Sequence, residues 1–224
     1  GMSSMPGGYR RIGDLPQDLP VFPLDGAVLL PGGELPLQIF EPRYLNMVDD
    51  AMAGDRMIGM IQTRPGGERA RPNLAGVGCA GRITAFAETA DGRYLITLTG
   101  VCRFQAGDEL PVRTPYRQVR ARFEPYGEDL DEDETPPEGL DRTRFARALK
   151  RYLNRRELDI DWETAAEAPL EALVTSLAMG LPFDPAEKQA LLEAPGLIER
   201  FSALTTLLEI DSLQDGDDAP PSVQ

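Results

Sequence analysis

Histidine is absent from all 224 residues, and that removes more chemistry than any residue present supplies. Without imidazole there is no Ser-His-Asp or Cys-His relay, no histidine general acid or base, and no histidine-ligated zinc or haem. Cys79 and Cys102 are too few for a thiolate metal site and lack Cys-x-x-Cys spacing. The two lysines, Lys150 and Lys188, stand outside any Gly-x-x-x-x-Gly-Lys-Ser/Thr loop, so no triphosphate cradle is legible. A serine–lysine pair would need one of them desolvated beside a serine. Lys188 follows Asp184-Pro-Ala-Glu at a helix start, where a solvated charge is expected. Asp49 and Asp50 are adjacent on a helical pattern and point apart, so they are no carboxylate pair. No catalytic, metal-binding or cofactor-binding residue is assigned, and the chain is expected not to be an enzyme.

The net charge of −14 is unevenly placed. Residues 124–141 hold nine acids and no base, and residues 209–224 hold five acids and no base. Those fourteen equal the whole excess, so the rest of the chain is balanced. The first stretch reads as a solvated acidic linker and residues 214–224 as a disordered acidic tail, while residues 1–18 read as a flexible N-terminus. No apolar run approaches a membrane span, and the start has neither a basic nor an apolar signal segment. A cytoplasmic location with reduced thiols is expected, without membrane contact.

The elements that would position any site divide into two kinds. Apolar runs at 21–24, 28–30 and 35–40 are cut by Asp25-Gly26 and Pro31-Gly32-Gly33 and predict three short strands. Pro23 and Pro36 cannot donate to a central ladder, so these strands should be edges or change partners at a bend. Pro42 opens a helix whose apolar positions are Tyr44, Leu45, Val48, Ala51 and Met52, ending at Gly54-Asp55. A strand at 57–63, a Gly-, Pro- and Arg-rich loop at 64–75, a hairpin turning at Asp91-Gly92 and a strand at 116–123 follow. The hairpin should bring Cys79 and Cys102 near each other. Beyond the linker the period is helical. Residues 142–156 place Phe145, Ala148, Leu149, Tyr152 and Leu153 on one face, and residues 169–179 repeat the pattern. Asp184-Pro185-Ala186-Glu187 supplies a cap, an N1 proline and a capping-box acid, and Leu197, Phe201, Leu204 and Leu208 mark a last helix. Trp162, in the connection, is read as packing.

The opening run LPVFPLDGAVLLPGGELPLQIFEPRY, the hairpin segment DGRYLITLTGVCRF with Gly100, Arg103 and Phe104, and the later run SLAMGLPFDPAEKQALLEAPGLIERFSAL resemble the N-terminal domain of Lon-type ATP-dependent proteases. The likeness covers roughly residues 19–213 apart from the linker. It implies an α+β protein: a β-rich PUA-like pseudo-barrel over 19–123, the linker at 124–141 and an α-helical bundle over 142–213. Lon proteases continue into an ATPase and a peptidase, whereas this chain stops at Gln224, so a stand-alone member without either activity is expected.

The resemblance implies binding of unfolded polypeptide or a protein partner, in the service of protein quality control. Glu41, Arg43 and Tyr44 match the family pattern and should also brace the barrel. Met47, Met57 and Met60 are adaptable enough to contact a client, although their periodic positions favour the core. A competing reading is RNA, since PUA-like folds include RNA binders. It rests on Arg120 and Arg122 in the strand and Arg144, Arg147 and Arg151 in the helix. The acidic linker between these segments offers internal neutralisation. Oligomeric state and partner identity are not legible.

Overall fold

In the computed structural model, residues 8–132, 135 and 137–217 are described. Six strands, β1 (Asp18–Pro23), β2 (Glu34–Ile39), β3 (Met57–Glu68), β4 (Arg71–Glu88), β5 (Tyr94–Glu109) and β6 (Gln118–Arg122), form one sheet in the order β2-β5-β4-β3-β1-β6. An additional β5–β6 pairing closes five of them into a barrel and leaves β2 as a free edge. The prolines explain both exceptions to a regular ladder. β1 pairs antiparallel with β6 through Asp18, Leu19 and Pro20, then parallel with β3 through Val21, Phe22 and Pro23. It therefore changes partners at a bend, while Pro36 lies on the edge strand β2.

The run at 28–30 is not a strand. Val28, Leu29 and Leu30 are buried as a loop, and Gly32 N–H and Gly33 C=O bond to the backbone of Gly100 instead. A Cβ on Gly100 would lie 2.0 Å from the Leu30 carbonyl oxygen, so only glycine allows this approach. The expected loop at 64–75 is instead the far arm of the β3–β4 hairpin, with Thr63 opposite Leu74 and Glu68 opposite Arg71 across register shifts. Gly66 and Gly67 take positive φ there, which lets the bulged arm continue the pairing.

Helix α1 (Pro42–Ala53) follows β2, and α2 (Arg142–Arg155), α3 (Trp162–Glu167), α4 (Leu170–Gly180), α5 (Pro185–Glu193) and α6 (Leu197–Asp217) follow the sheet. α2 buries the five residues its period selects. Asp184 and Glu187 form the capping box of α5 with Pro185 in its first turn. α3 is a short helix in what the pattern showed as a connection, capped by the Asp161 carboxylate. α6 runs on through Asp217, past the start of the expected tail. The remaining tail, 218–224, and residues 1–7 lie outside the described residues.

Two apolar cores lie on either side of the barrel wall. Inside sit Leu19, Val21, Met57, Phe104, Val119 and Phe123, and the glycine at 59 leaves room for the Phe104 ring. Outside, Leu29, Ile39, Met47, Met60, Ile96 and Leu98 pack in one cluster with Phe145, Tyr152, Leu177, Leu191, Phe201 and Leu208. The helices thus share a core with the sheet. Residues expected to be flexible or solvated also join the packing. Tyr9 and Leu15 are buried around a 3-10 turn at Ile12–Asp14, and Arg82 donates to the Tyr9 hydroxyl. In the expected linker, Glu124–Leu130 is a 3-10 helix that buries Leu130 and turns the Asp129 carboxylate toward Arg103.

Candidate functional site

β4 and β5 run past the barrel to the turn at Asp91-Gly92, and β2 covers one side of that extension. Register and strand alternation put Pro36 and Gln38 of β2, Leu95 and Thr97 of β5, and Ala85 and Ala87 of β4 on the outward face. On the inward face Leu37, Ile39, Ile96 and Leu98 pack over α1 and the core. The small side chains at 85, 87 and 97 leave an open groove of about 520 Å³, bordered also by Leu37, Phe86 and Ile96 and by no charged residue. Leu95 is 44% exposed, Phe86 42% and Phe40, just after β2, 62%. Phe86, opposite Ile96 in the register, projects to the α1 side, so the outward patch is Leu95 with the small side chains beside it; an uncharged apolar patch of this kind is the signature of a contact surface. Phe86 is braced by Tyr94, ring centroids 4.9 Å apart, and Tyr94 donates to Asp49 of α1 at 2.8 Å. Asp50 instead accepts from Tyr116 at 2.6 Å, so the neighbouring acids do point apart. Beside the groove, β2 offers a free edge, but Pro36 removes one donor from its middle. That favours side-chain contact on the face over addition of a continuous strand.

The residues singled out from the sequence fall elsewhere. Glu41 is the N-cap of α1 and pairs at 3.0 Å with Arg43, both half exposed. The Tyr44 ring stacks on Phe22 at 4.3 Å with the Arg43 guanidinium over it, and burial raises its hydroxyl pKa. This trio anchors α1 to β1. Met47, Met57 and Met60 are all at most 2% exposed, so they pack the cores and present no sulfur to a client in this fold. The sequence reading missed the outward face because alanine and threonine carry no functional signal; only the alternation of Tyr94, Ile96 and Leu98 with polar neighbours hinted at it.

The arginines proposed for RNA stand on two different elements, and two of them already pair with acids. Arg120 and Arg122 project from β6 in the barrel wall, whereas α2 packs against α6. Arg120 donates to Asp18 at 2.8 Å, and Arg144 grips Glu209 through two nitrogens. Arg147 and Arg151 are exposed.

A seam of buried charge joins barrel, acidic segment and helices. Arg103, 3% exposed, donates to both oxygens of Asp129 at 2.9 and 3.0 Å and to the carbonyls of Leu192, Ala194 and Pro195 after α5. Arg200 donates to the Leu191 and Ala194 carbonyls. The two guanidiniums thereby satisfy the carbonyls that end α5. Gln62 links β3 to the Pro185 carbonyl. Lys188 is not solvated as expected. It is 7% exposed and donates to the Met179 carbonyl at 2.8 Å, and burial lowers its pKa. Cys79 lies opposite Arg103 and Cys102 opposite Ala80, so the thiols occupy adjacent positions on opposite faces and belong to different cores. Burial pushes Cys102 up to about 12, far from a reactive thiolate.

Residues 18–209 match the family described as the ATP-dependent protease La (LON) substrate-binding domain. The chain belongs to that family. Lon protease 2 of Myxococcus xanthus is 29% identical over 212 residues, which span 91% of this chain and 25% of that protein. Lon protease of Anaeromyxobacter dehalogenans is 26% identical over 203 residues, spanning 87% and 23% respectively. This LON substrate-binding domain therefore spans about a quarter of the length of such relatives. Its fold is that of solved Lon N-terminal domains. The Xanthomonas campestris Lon N-terminal domain protein aligns with a TM-score of 0.58 at 23% identity, covering 84% of this chain and 97% of its own. The N-terminal domain of Mycobacterium avium complex Lon protease aligns at 0.55 and 18%, covering 86% and 98%. Among the described residues no helix is long and apolar enough to cross a membrane.

Proposed function

We propose that this chain is a non-catalytic binding module that holds unfolded polypeptide, in the service of protein quality control, against the outward face of β2, β5 and β4. Family membership supports substrate binding. The observation that carries the placement is the uncharged, solvent-open groove around the exposed side chain of Leu95. A client would leave water by covering Leu95, Ala85 and Ala87, and its affinity would come from apolar burial. The absence of a catalytic role is supported by the environment of each nucleophile candidate. Lys188 bonds a carbonyl inside the bundle, Lys150 lies over Trp162, and both thiols are buried.

The test is retention of a destabilised, fluorescently labelled client by immobilised protein in moderate salt. Leu95→Asp combined with Ala87→Asp changes two exposed positions and should leave the fold intact while reducing retention by about tenfold or more. Retention should barely change when salt is raised, because apolar contact is not screened. Undiminished retention by this variant would remove the face from the mechanism.

A further inference from the structure

The helical half carries a basic surface that the polypeptide-binding role leaves unused. We propose that Arg147, Lys150 and Arg151 of α2, together with Trp162, form a site for single-stranded nucleic acid, in which the cations hold phosphates and a base stacks on the indole.

Three carboxylates in contact with α2 already have partners. Asp141 accepts from the backbone of Arg144 as the N-cap, Glu209 is gripped by the Arg144 side chain, and Asp211 bonds Arg156. Arg147 and Arg151 form no salt bridge or hydrogen bond among the described residues, although Arg151 adds to the pull that Arg144 exerts on Glu209, and the two stand one turn apart, where like charges repel. Packing does not require them, because the buried stripe from Phe145 to Leu153 secures the helix. They line a recess of about 50 Å³ between α2 and α6 with Arg144, Ser212 and Glu209, room for one anionic group. Glu209 lowers the local potential, but its pair with Arg144 offsets that charge.

Trp162 distinguishes the kind of anion. Its ring begins α3, is 38% exposed, and carries the Lys150 ammonium 5.5 Å from its centroid. A partly exposed tryptophan beside cations that form no salt bridge suits a ligand that alternates phosphates with flat bases. An acidic peptide would use the arginines and leave the indole idle. The site uses the α2 cations and Trp162 without the strand arginines, so it is narrower than the one the sequence suggested.

Trp162 is the chain's only tryptophan, so its emission reports the site directly. An oligothymidylate of about a dozen nucleotides, titrated at about 50 mM salt, should quench it. Three cations on phosphates predict a slope of log affinity against log salt of about −2. Arg147→Glu with Arg151→Glu should weaken binding by about a hundredfold or more, and Trp162→Ala, followed with a labelled oligonucleotide, by about tenfold. Inorganic polyphosphate should compete without quenching. Absence of salt-dependent quenching, or unchanged affinity in the arginine variant, would overturn the proposal. Oligoglutamate binding as tightly as the oligonucleotide would also overturn it, in favour of an acidic protein partner.

Discussion

Where the barrel meets the helices, Arg103 and Arg200 are buried and bonded to carbonyls and a carboxylate; where the sheet runs past the barrel, Ala85, Ala87 and Leu95 face solvent with nothing over them. The first region fixes one geometry, since each buried donor demands its own acceptor and a wrong docking would strand a charge. The second demands no particular partner geometry, because apolar contact is non-directional. A rigid seam holding an unspecific face is the arrangement that the proposed polypeptide-binding role would require, since the module would keep its own shape while accepting different sequences.

That contrast can be broken most severely at Asp129. Asp129→Ala leaves the Arg103 guanidinium buried without its counter-charge, and unfolding by denaturant should show a loss of about 3–5 kcal/mol. The paired aspartates on the face, Leu95→Asp with Ala87→Asp, oppose each other directly across the strands and should cost about 1–2 kcal/mol, well below the loss at Asp129. If the two substitutions cost the same, the seam is not what orders the fold.

Lys188 sharpens the comparison within the helices. Its lowered pKa means that the folded state disfavours the ammonium, so Lys188→Met should stabilise the protein at neutral pH by about 1 kcal/mol. Between the folded pKa and the ordinary 10.5, the unfolded chain holds more protons and wild-type stability rises with pH. The advantage of the variant should therefore shrink as pH climbs toward 10.5, which thermal melts across that range would show.

The smallest effect belongs to Glu109, which accepts from Arg117 at 2.7 and 2.9 Å and is held below the usual carboxylate range chiefly by that bond. A depressed folded pKa contributes stability above the unfolded value and loses it as pH falls through the folded one. Glu109→Gln should flatten the acid limb of the stability profile below about pH 4.5, with a loss under about 1 kcal/mol at neutral pH.

Local pattern carried much of the fold. The buried face of α2, the capping box of α5, the Asp91-Gly92 turn and the edge position of Pro36 each depend on neighbours within a few residues, which periodicity and turn chemistry record. What escaped depends on distant partners. Arg103 meets Asp129 and the end of α5, 26 to 92 positions away, and no spacing rule marks such a triad. Asp129 accordingly read as one solvated acid among nine. Lys188 read as solvated because its helix start is polar, while the burial comes from α4 packing against it. The run at 28–30 read as a strand because apolar loops and strands share composition; its backbone bonds go to Gly100 instead. The candidate face was hidden for another reason, since a groove is made by small residues whose importance lies in the space they leave.

The most direct test of the binding face is a photo-crosslinking residue placed at position 95 and, separately, at Glu199 on the exposed side of α6, each challenged with the same reduced, unfolded client of known sequence. The client should be captured through position 95 and not through position 199, and excess unlabelled client should abolish the adduct. Equal capture at both positions, or capture through position 199 alone, would contradict the assignment of β2, β5 and β4 as the surface that holds polypeptide.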